Sequence, residues 1–268
     1  MTQSALTNVM SGAAIKAGKG LIRDFSEVDK LQISRKGTSN FVTKSDIRTE
    51  KLLHSELAKA RPGYGFLMEE TGEIPGSDPH YRWIIDPLDG TSNFIHAIPY
   101  FCISIALEKR DANGGSEIVA GCIYDPISNE LFTAEKGKGA FVNNRKLLVS
   151  NRDKLEDAML VTGGLRGAHK ESYHTSLTHV IESCGATMRI FGATALDLAH
   201  LAAGRIDACW YYSLKPWDIA AGILMITEAG GTVADLNGQP LANIYAPTLM
   251  VTNRHLVMPV QQLLTNSA

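Results

Sequence analysis

Acidic side chains gather in three short stretches of this chain: Glu69-Glu70, Asp86-Pro87-Leu88-Asp89-Gly90-Thr91 and Trp217-Asp218. Crowded carboxylates repel one another unless a cation neutralises them. Hard divalent cations such as Mg²⁺ take oxygen ligands: a few carboxylates, waters and the phosphate oxygens of a substrate. Asp86 and Asp89 lie three residues apart across a proline. Proline fixes its own φ and biases its predecessor toward extended backbone. Asp86 is therefore expected to end a strand, with the chain turning at Pro87-Leu88. Both carboxylates and an intervening carbonyl can then face one point. Gly90-Thr91-Ser92-Asn93 follows at once. Glycine allows close backbone approach, Thr91 or Ser92 can cap a following helix, and free N–H groups at a helix start bind phosphate. Metal ligands followed directly by such a turn point to metal-assisted hydrolysis of a phosphate ester. One ion would activate a water while others clamp the phosphoryl group and the leaving oxygen.

Each stretch taken alone has an ordinary explanation. Asp, Pro and Gly are turn formers, so D-P-x-D-G is a common turn. Glu69-Glu70 reads equally as a solvated acidic pair, and Asp218 and Asp46 as helix N-caps. What favours a site is that all of them fall at predicted strand ends or helix starts. The eight histidines are scattered, without metal or triad spacing. His96 reads as structural or rim-lying. Gly137-Lys138-Gly139 lacks the G-K-[ST] ending of a P-loop and suits a hairpin.

The elements that must position these residues follow from periodicity. Ser4 to Phe25 reads as an amphipathic helix, and Lys30 to Lys44 as an extended or hairpin segment. Ile47 to Ala60 has helical spacing and stops before Arg61-Pro62-Gly63. Strands are expected at Tyr81 to Asp86, Phe101 to Leu107, Ile118 to Tyr124 and Glu130 to Ala134. Asn143-Asn144 marks a hairpin within Gly139 to Leu148. Beyond about residue 150 strands and helices alternate. Strands are expected at Met159 to Thr162, Thr187 to Phe191, Asp207 to Tyr211, Val233 and Leu249 to Thr252. Helices are expected at His169 to Cys184, Thr194 to Ala203 and Trp217 to Ala229, the second closed by Gly204 and the third by Gly230-Gly231. This pattern predicts a layered α/β protein in two halves that meet near residue 150.

Composition narrows the class. The 268 residues are 44% hydrophobic, enough for a sizeable core. A formal net charge of −2 argues against a nucleic-acid binder that relies on bulk basic charge. Four widely spaced cysteines, Cys102, Cys122, Cys184 and Cys209, suit reduced thiols better than disulfides or a zinc site. No stretch approaches the roughly 18 uninterrupted apolar residues of a membrane span, and no signal peptide is apparent. A cytoplasmic protein is the expectation.

Three segments together resemble the signatures of the inositol monophosphatase family. They are Glu69-Glu70, the run from Trp83 through Asp86-Pro87-Leu88-Asp89-Gly90-Thr91-Ser92-Asn93 to Phe94, and Lys215-Pro216-Trp217-Asp218-Ile219-Ala220-Ala221-Gly222. The likeness runs from the N-terminal helix to Gly230-Gly231. It implies a five-layer αβαβα sandwich forming one phosphatase domain over 1–268, with an N-terminal α+β half (about 1–150) and a C-terminal α/β half (about 151–268). It also implies a lithium-sensitive, Mg²⁺-dependent enzyme with two or three ions per site, a small-molecule phosphate ester as substrate, and a homodimer. By resemblance, Glu69, Asp86 and the Leu88 carbonyl hold one metal. Asp86, Asp89 and Asp218 hold a second, and Glu69 approaches a third. Thr91, positioned by Asp46, orients the attacking water, and Glu70 supports the ligands. The N–H groups of Gly90 and Thr91 receive the phosphate. Lys36 matches a basic residue at the mouth, and Gly192, Ala193 and Thr194 match the segment lining the substrate's other side.

One position departs from the family. Members acting on inositol phosphates usually carry a glutamate seven residues before the motif aspartate, where it accepts hydrogen bonds from substrate hydroxyls. Here that residue is Tyr211, and a phenol is not a purely accepting group. The leading expectation is hydrolysis of inositol 1-phosphate. Fructose 1,6-bisphosphate, a nucleotide 3′-phosphate and histidinol phosphate stand beside it as substrates of sister enzymes. A non-enzymatic alternative is a binding partner of the transcription machinery. Haloacid-dehalogenase-type phosphatases use D-x-D-G-T with a covalent aspartate; the D-x-x-D-G-T here is one residue longer.

Overall fold

A computed structural model describes residues 4–28, 33–36, 40–111, 114–164, 169–183 and 185–265. The first helix, α1 (Ala5–Phe25), is N-capped by Ser4, whose side chain accepts from the Thr7 N–H. A short antiparallel pair, β1 (Ile33–Lys36) and β2 (Asn40–Thr43), leads into α2 (Lys44–Ala60). Eight strands then build one sheet: β3 (Tyr64–Met68), β4 (Gly72–Ile74), β5 (Asp78–Asp89), β6 (Cys102–Arg110), β7 (Ser116–Asp125), β8 (Glu130–Glu135), β9 (Gly139–Val142) and β10 (Arg145–Lys146). Their order is β10-β9-β8-β7-β6-β5-β3-β4. Only β3 and β5 run parallel; the other neighbours are antiparallel. A one-turn helix, α3 (Thr91–Ile95), follows β5.

The later strands form a second sheet: β11 (Met159–Thr162), β12 (Thr187–Arg189), β13 (Ala208–Tyr212), β14 (Thr232–Ala234) and β15 (Thr248–Thr252), in the order β12-β11-β13-β15-β14. Between them come α4 (Lys170–Ser183), α5 (Thr194–Ala202) and α6 (Pro216–Glu228), and α7 (Val257–Thr265) comes last. The layers are α1 and α2, the eight-stranded sheet, α5 and α6, the five-stranded sheet, then α4 and α7. This is the αβαβα sandwich.

Strand alternation explains the layering. Successive strand side chains point to opposite faces. Trp83, Ile85, Ile103, Ile105 and Leu107 turn toward Met10, Leu21, Leu53 and Leu57 of the outer helices. Ile84, Ala106 and Ile123 turn the other way, toward Leu196, Leu198, Ile219 and Met225 of the central helices. In β13, Cys209 and Tyr211 join that central core, while Trp210 and Tyr212 face α4 and α7. Burying each large apolar side chain contributes about 1.5–3 kcal/mol relative to leaving it in water. Cys102, Cys122 and Cys209 are buried free thiols; Cys184 lies outside the described residues. No helix among them is long and apolar enough to cross a membrane.

Several expectations need correcting. The strand carrying Asp86 does not end there: β5 continues to Asp89. Proline survives in this strand because it sits at a bulge, where no ladder hydrogen bond is needed from it. Strands β3 and β4 have no counterpart in the periodicity reading, since five and three residues flanked by glycines carry too little pattern. The same holds for α7, which has Pro259 in its first turn and only Val260 and Leu263 buried. The Asn143-Asn144 hairpin is present, with both asparagines at positive φ.

Candidate active site

The bulge in β5 sets the geometry. Asp86 pairs with Ser104 and Asp89 with Cys102, so three steps on β5 oppose two on β6. In a regular strand, residues three apart point to opposite faces. The extra residue cancels that parity and brings both carboxylates to one cleft. Asp86 Oδ1 also accepts from the Leu88 N–H at 2.9 Å, which holds the bulge from within.

Glu69 and Glu70 follow β3. Glu69 N–H donates to the Ile85 carbonyl at 3.2 Å. Glu70 N–H donates to the Glu50 carboxylate at 2.8 Å, and the Thr71 hydroxyl donates to the same carboxylate. Glu50, buried in α2, thus braces the turn that delivers the two acids. Asp46 is not an N-cap, because α2 already begins at Lys44; it lies inside the first turn, 1% exposed. Ser45 beside it donates to Asp24 of α1 at 2.8 Å, and Arg48 pairs with the same carboxylate. Carboxylate oxygens of Asp46, Glu69 and Glu70 lie within 4.8 Å of one another.

Gly90 holds φ +93°, and a Cβ there would stand 2.9 Å from the Tyr100 carbonyl. Only glycine suits both conditions. Gly90 itself is the N-cap of α3 and Thr91 its first helical residue, so neither Thr91 nor Ser92 caps the helix. Thr91 Oγ1 instead donates to the Leu88 carbonyl at 2.9 Å. Asn93 fastens this corner to the other half, donating to the Tyr100 and Phe191 carbonyls, each at 2.8 Å.

The second half closes the cleft. Asp89 Oδ2 accepts from the Ala195 N–H at the start of α5, at 2.6 Å. Asp218 lies in the first turn of α6, after Pro216, and accepts from the Lys215 N–H at 2.8 Å. It is therefore the third helical residue rather than the N-cap. A cleft of about 100 Å³ results. Glu69, Asp86, Leu88, Asp89, Gly90, Thr91, Gly192, Thr194, Tyr211 and Asp218 all line it. Ala193 does not; it is the fully buried N-cap of α5. Asp46 and Glu70 stand behind the lining, next to Glu69. Lys36 ends β1, and its side chain lies outside the described residues. His96 is exposed and bonded to the Ser92 carbonyl, away from the lining.

The electrostatics are those of uncompensated negative charge. Burial, then repulsion from Asp218 and Glu70, pushes Glu69 up to about 8. Burial and the neighbouring Asp218 raise Asp89 to about 7, with backbone N–H groups of α5 pulling back. Burial and Glu69 drive Asp86 well above the carboxylate range. The described cleft lining contains no Lys, Arg or His.

The spacing reading missed Asp197, a lone acid in the otherwise apolar stretch Thr194-Ala195-Leu196-Asp197-Leu198-Ala199. It lines the cleft at 1% exposure. Tyr211 Oη donates to its Oδ2 at 2.9 Å and Tyr100 Oη to its Oδ1 at 2.6 Å. A buried acid within an apolar helix is the signal that could have marked it. Glu50 and Asn93 carried no such signal.

The layered fold and the acidic cleft define a phosphoric monoester hydrolase. The chain belongs to the inositol monophosphatase family, whose sequence pattern matches residues 2–265. An inositol-1-monophosphatase of Mesorhizobium japonicum is 50% identical over 240 residues, 89% of this chain and 88% of that protein. A Nus factor SuhB of Vibrio cholerae is 40% identical over 235 residues, 87% and 86% of the two chains. The crystal structure of extragenic suppressor protein suhB from Bartonella henselae superposes with a TM-score of 0.93 at 47% identity, covering 99% of this chain and 100% of that one.

Proposed function

We propose that the chain hydrolyses the phosphate monoester of a small neutral polyol, with inositol 1-phosphate as the leading candidate, in the presence of Mg²⁺. The observation that carries this reading is the convergence of Glu69, Asp86, Asp89 and Asp218 on a cleft whose described lining holds no cationic side chain. A phosphate ester entering such a cleft needs cations to offset the repulsion. The donors are hard oxygens, the set that suits Mg²⁺. Glu69, Asp86 and the Leu88 carbonyl would hold one ion and Asp86, Asp89 and Asp218 another, with Glu69 also reaching a third beside Asp46 and Glu70. Bound there, Mg²⁺ would supply Lewis-acid polarisation of a water and offset charge on the phosphoryl oxygens.

The protein's own groups do the positioning. Thr91 has its proton committed to the Leu88 carbonyl, so its lone pairs accept a hydrogen bond from the attacking water and orient it. The N–H groups of Gly90 and Thr91 receive the phosphate. Asp46 is proposed to position Thr91, and Glu70 to support the metal ligands. No step needs a covalent aspartyl phosphate.

Phosphate release with Mg²⁺ and with EDTA tests this on inositol 1-phosphate, fructose 1,6-bisphosphate, a nucleotide 3′-phosphate, histidinol phosphate and β-glycerophosphate. Mg²⁺-dependent release with preference for inositol 1-phosphate is the expected outcome. Preference for another ester keeps the chemistry and moves the substrate; release from none overturns the reading. The implied homodimer is checked by light scattering. A second reading, contact with the transcription machinery, is favoured by the likeness to a Nus factor. A pull-down with RNA polymerase tests it.

A further inference from the structure

Tyr211 is the penultimate residue of β13, Asp197 sits in α5, and Tyr100 lies between α3 and β6. Asp197 and Tyr211 line the cleft, and both oxygens of Asp197 are engaged: Oδ1 by Tyr100 Oη at 2.6 Å and Oδ2 by Tyr211 Oη at 2.9 Å. An ionised carboxylate only accepts, whereas a phenol carries one proton and two lone pairs. Once the Tyr211 proton is committed to Asp197, the phenol has lone pairs alone left to offer. Tyr211 is among the residues lining the cleft, and a remaining lone pair of its phenol is what a bound hydroxyl would meet there. The ring is held from the far side too. A Cβ at Gly163 would stand 3.0 Å from Tyr211 Cδ1, so the glycine makes room for a ring seated against it.

We propose that Asp197 is a positioning residue that makes Tyr211 a one-way hydrogen-bond acceptor for a hydroxyl of the leaving group, so that the cleft selects polyhydroxylated esters. The inference rests on the phosphatase reading above. It also removes the objection raised by Tyr211 in the sequence. A free phenol is not a purely accepting group, but one clamped by a buried carboxylate behaves as one. A merely structural link between β13, α5 and the Tyr100 loop would affect melting temperature and leave substrate choice unchanged.

The test compares kcat and KM of the full chain with Mg²⁺ on inositol 1-phosphate and on para-nitrophenyl phosphate, whose leaving group has no spare hydroxyl. It is run above the raised Asp197 value of about 8, where the carboxylate is ionised. Tyr211→Phe removes the accepting oxygen, and Asp197→Leu removes the acceptor that holds the Tyr211 proton, leaving it to turn into the cleft. Losing one such hydrogen bond should lower the polyol-to-aryl ratio of kcat/KM about tenfold in each variant, chiefly through KM of the polyol ester. Tyr211→Phe keeps the ring's shape and decides the matter if Asp197→Leu does not fold. Ratios within about twofold of wild type, a difference of roughly 0.4 kcal/mol, would overturn the proposal whatever the melting temperatures do. If the wild-type chain hydrolyses neither ester, the phosphatase reading falls and takes this one with it.

Discussion

The two walls of the cleft are built on different plans. The acidic wall comes from contiguous motifs: a bulge places Asp86 and Asp89, a brace from Glu50 places Glu69 and Glu70, and one helix start places Asp218. The second set, Asp197 and Tyr211 of the lining with Tyr100 bonded to Asp197, comes from three segments that meet only in the folded chain. The first wall concentrates charge that an ion must compensate. The second satisfies its own charge internally with two phenol donors. On the proposed function, metal dependence and substrate choice would be separable properties, and substitutions should divide along the same line.

The largest expected effect falls on the acidic wall. Asp86→Asn removes a ligand proposed to serve two ions and should reduce Mg²⁺-dependent phosphate release to background; near-wild-type turnover would refute the assignment. Glu50→Ala removes the brace without touching a ligand. It should weaken apparent Mg²⁺ affinity about tenfold to a hundredfold, read from the Mg²⁺ dependence of activity, and leave the polyol-to-aryl ratio intact. A shift in that ratio would show that the walls are not independent. Gly90→Ala forces a left-handed backbone and a close contact onto a Cβ, at a cost of about 1–2 kcal/mol, measurable by thermal melting.

The smallest effect is a trend with pH. Glu69 rises from 4.5 to about 8 and Asp89 from 3.8 to about 7 on folding. A carboxyl raised by folding binds its proton more tightly in the native state. Its stabilising contribution is present below the unfolded value and is lost as pH rises through the folded one. In EDTA, the melting temperature should therefore fall by several degrees between about pH 4 and pH 8. Saturating Mg²⁺ should flatten or reverse that fall. A metal-free melting temperature that rises across this window would contradict the crowding of these acids.

The acidic wall was legible because the bulge lies inside six consecutive residues: Pro87 announces a break in extended backbone and Gly90 a tight approach. Even so, the continuation of β5 through Pro87 was hidden. A bulge is defined by the partner strand's register, and no residue of β5 alone encodes that. Tyr211 was readable as a departure but not in its consequence, because its proton is directed by a side chain fourteen residues upstream. Glu50 and Asn93 escaped for the same reason: each acts on backbone groups distant in the chain. The long α1, α2 and α6 declared themselves by period, while β3, β4 and α7 were too short to do so.

The described lining of the cleft, which holds no Lys, Arg or His, has a kinetic consequence. Before any ion binds, those of the four acids that are ionised would repel a phosphate ester. If Mg²⁺ binds as proposed, ions would enter ahead of ester, and each ester that arrived would make the ions harder to lose. The apparent KM would then be a function of free Mg²⁺, and the supply of that ion would act as a throttle alongside the abundance of the substrate.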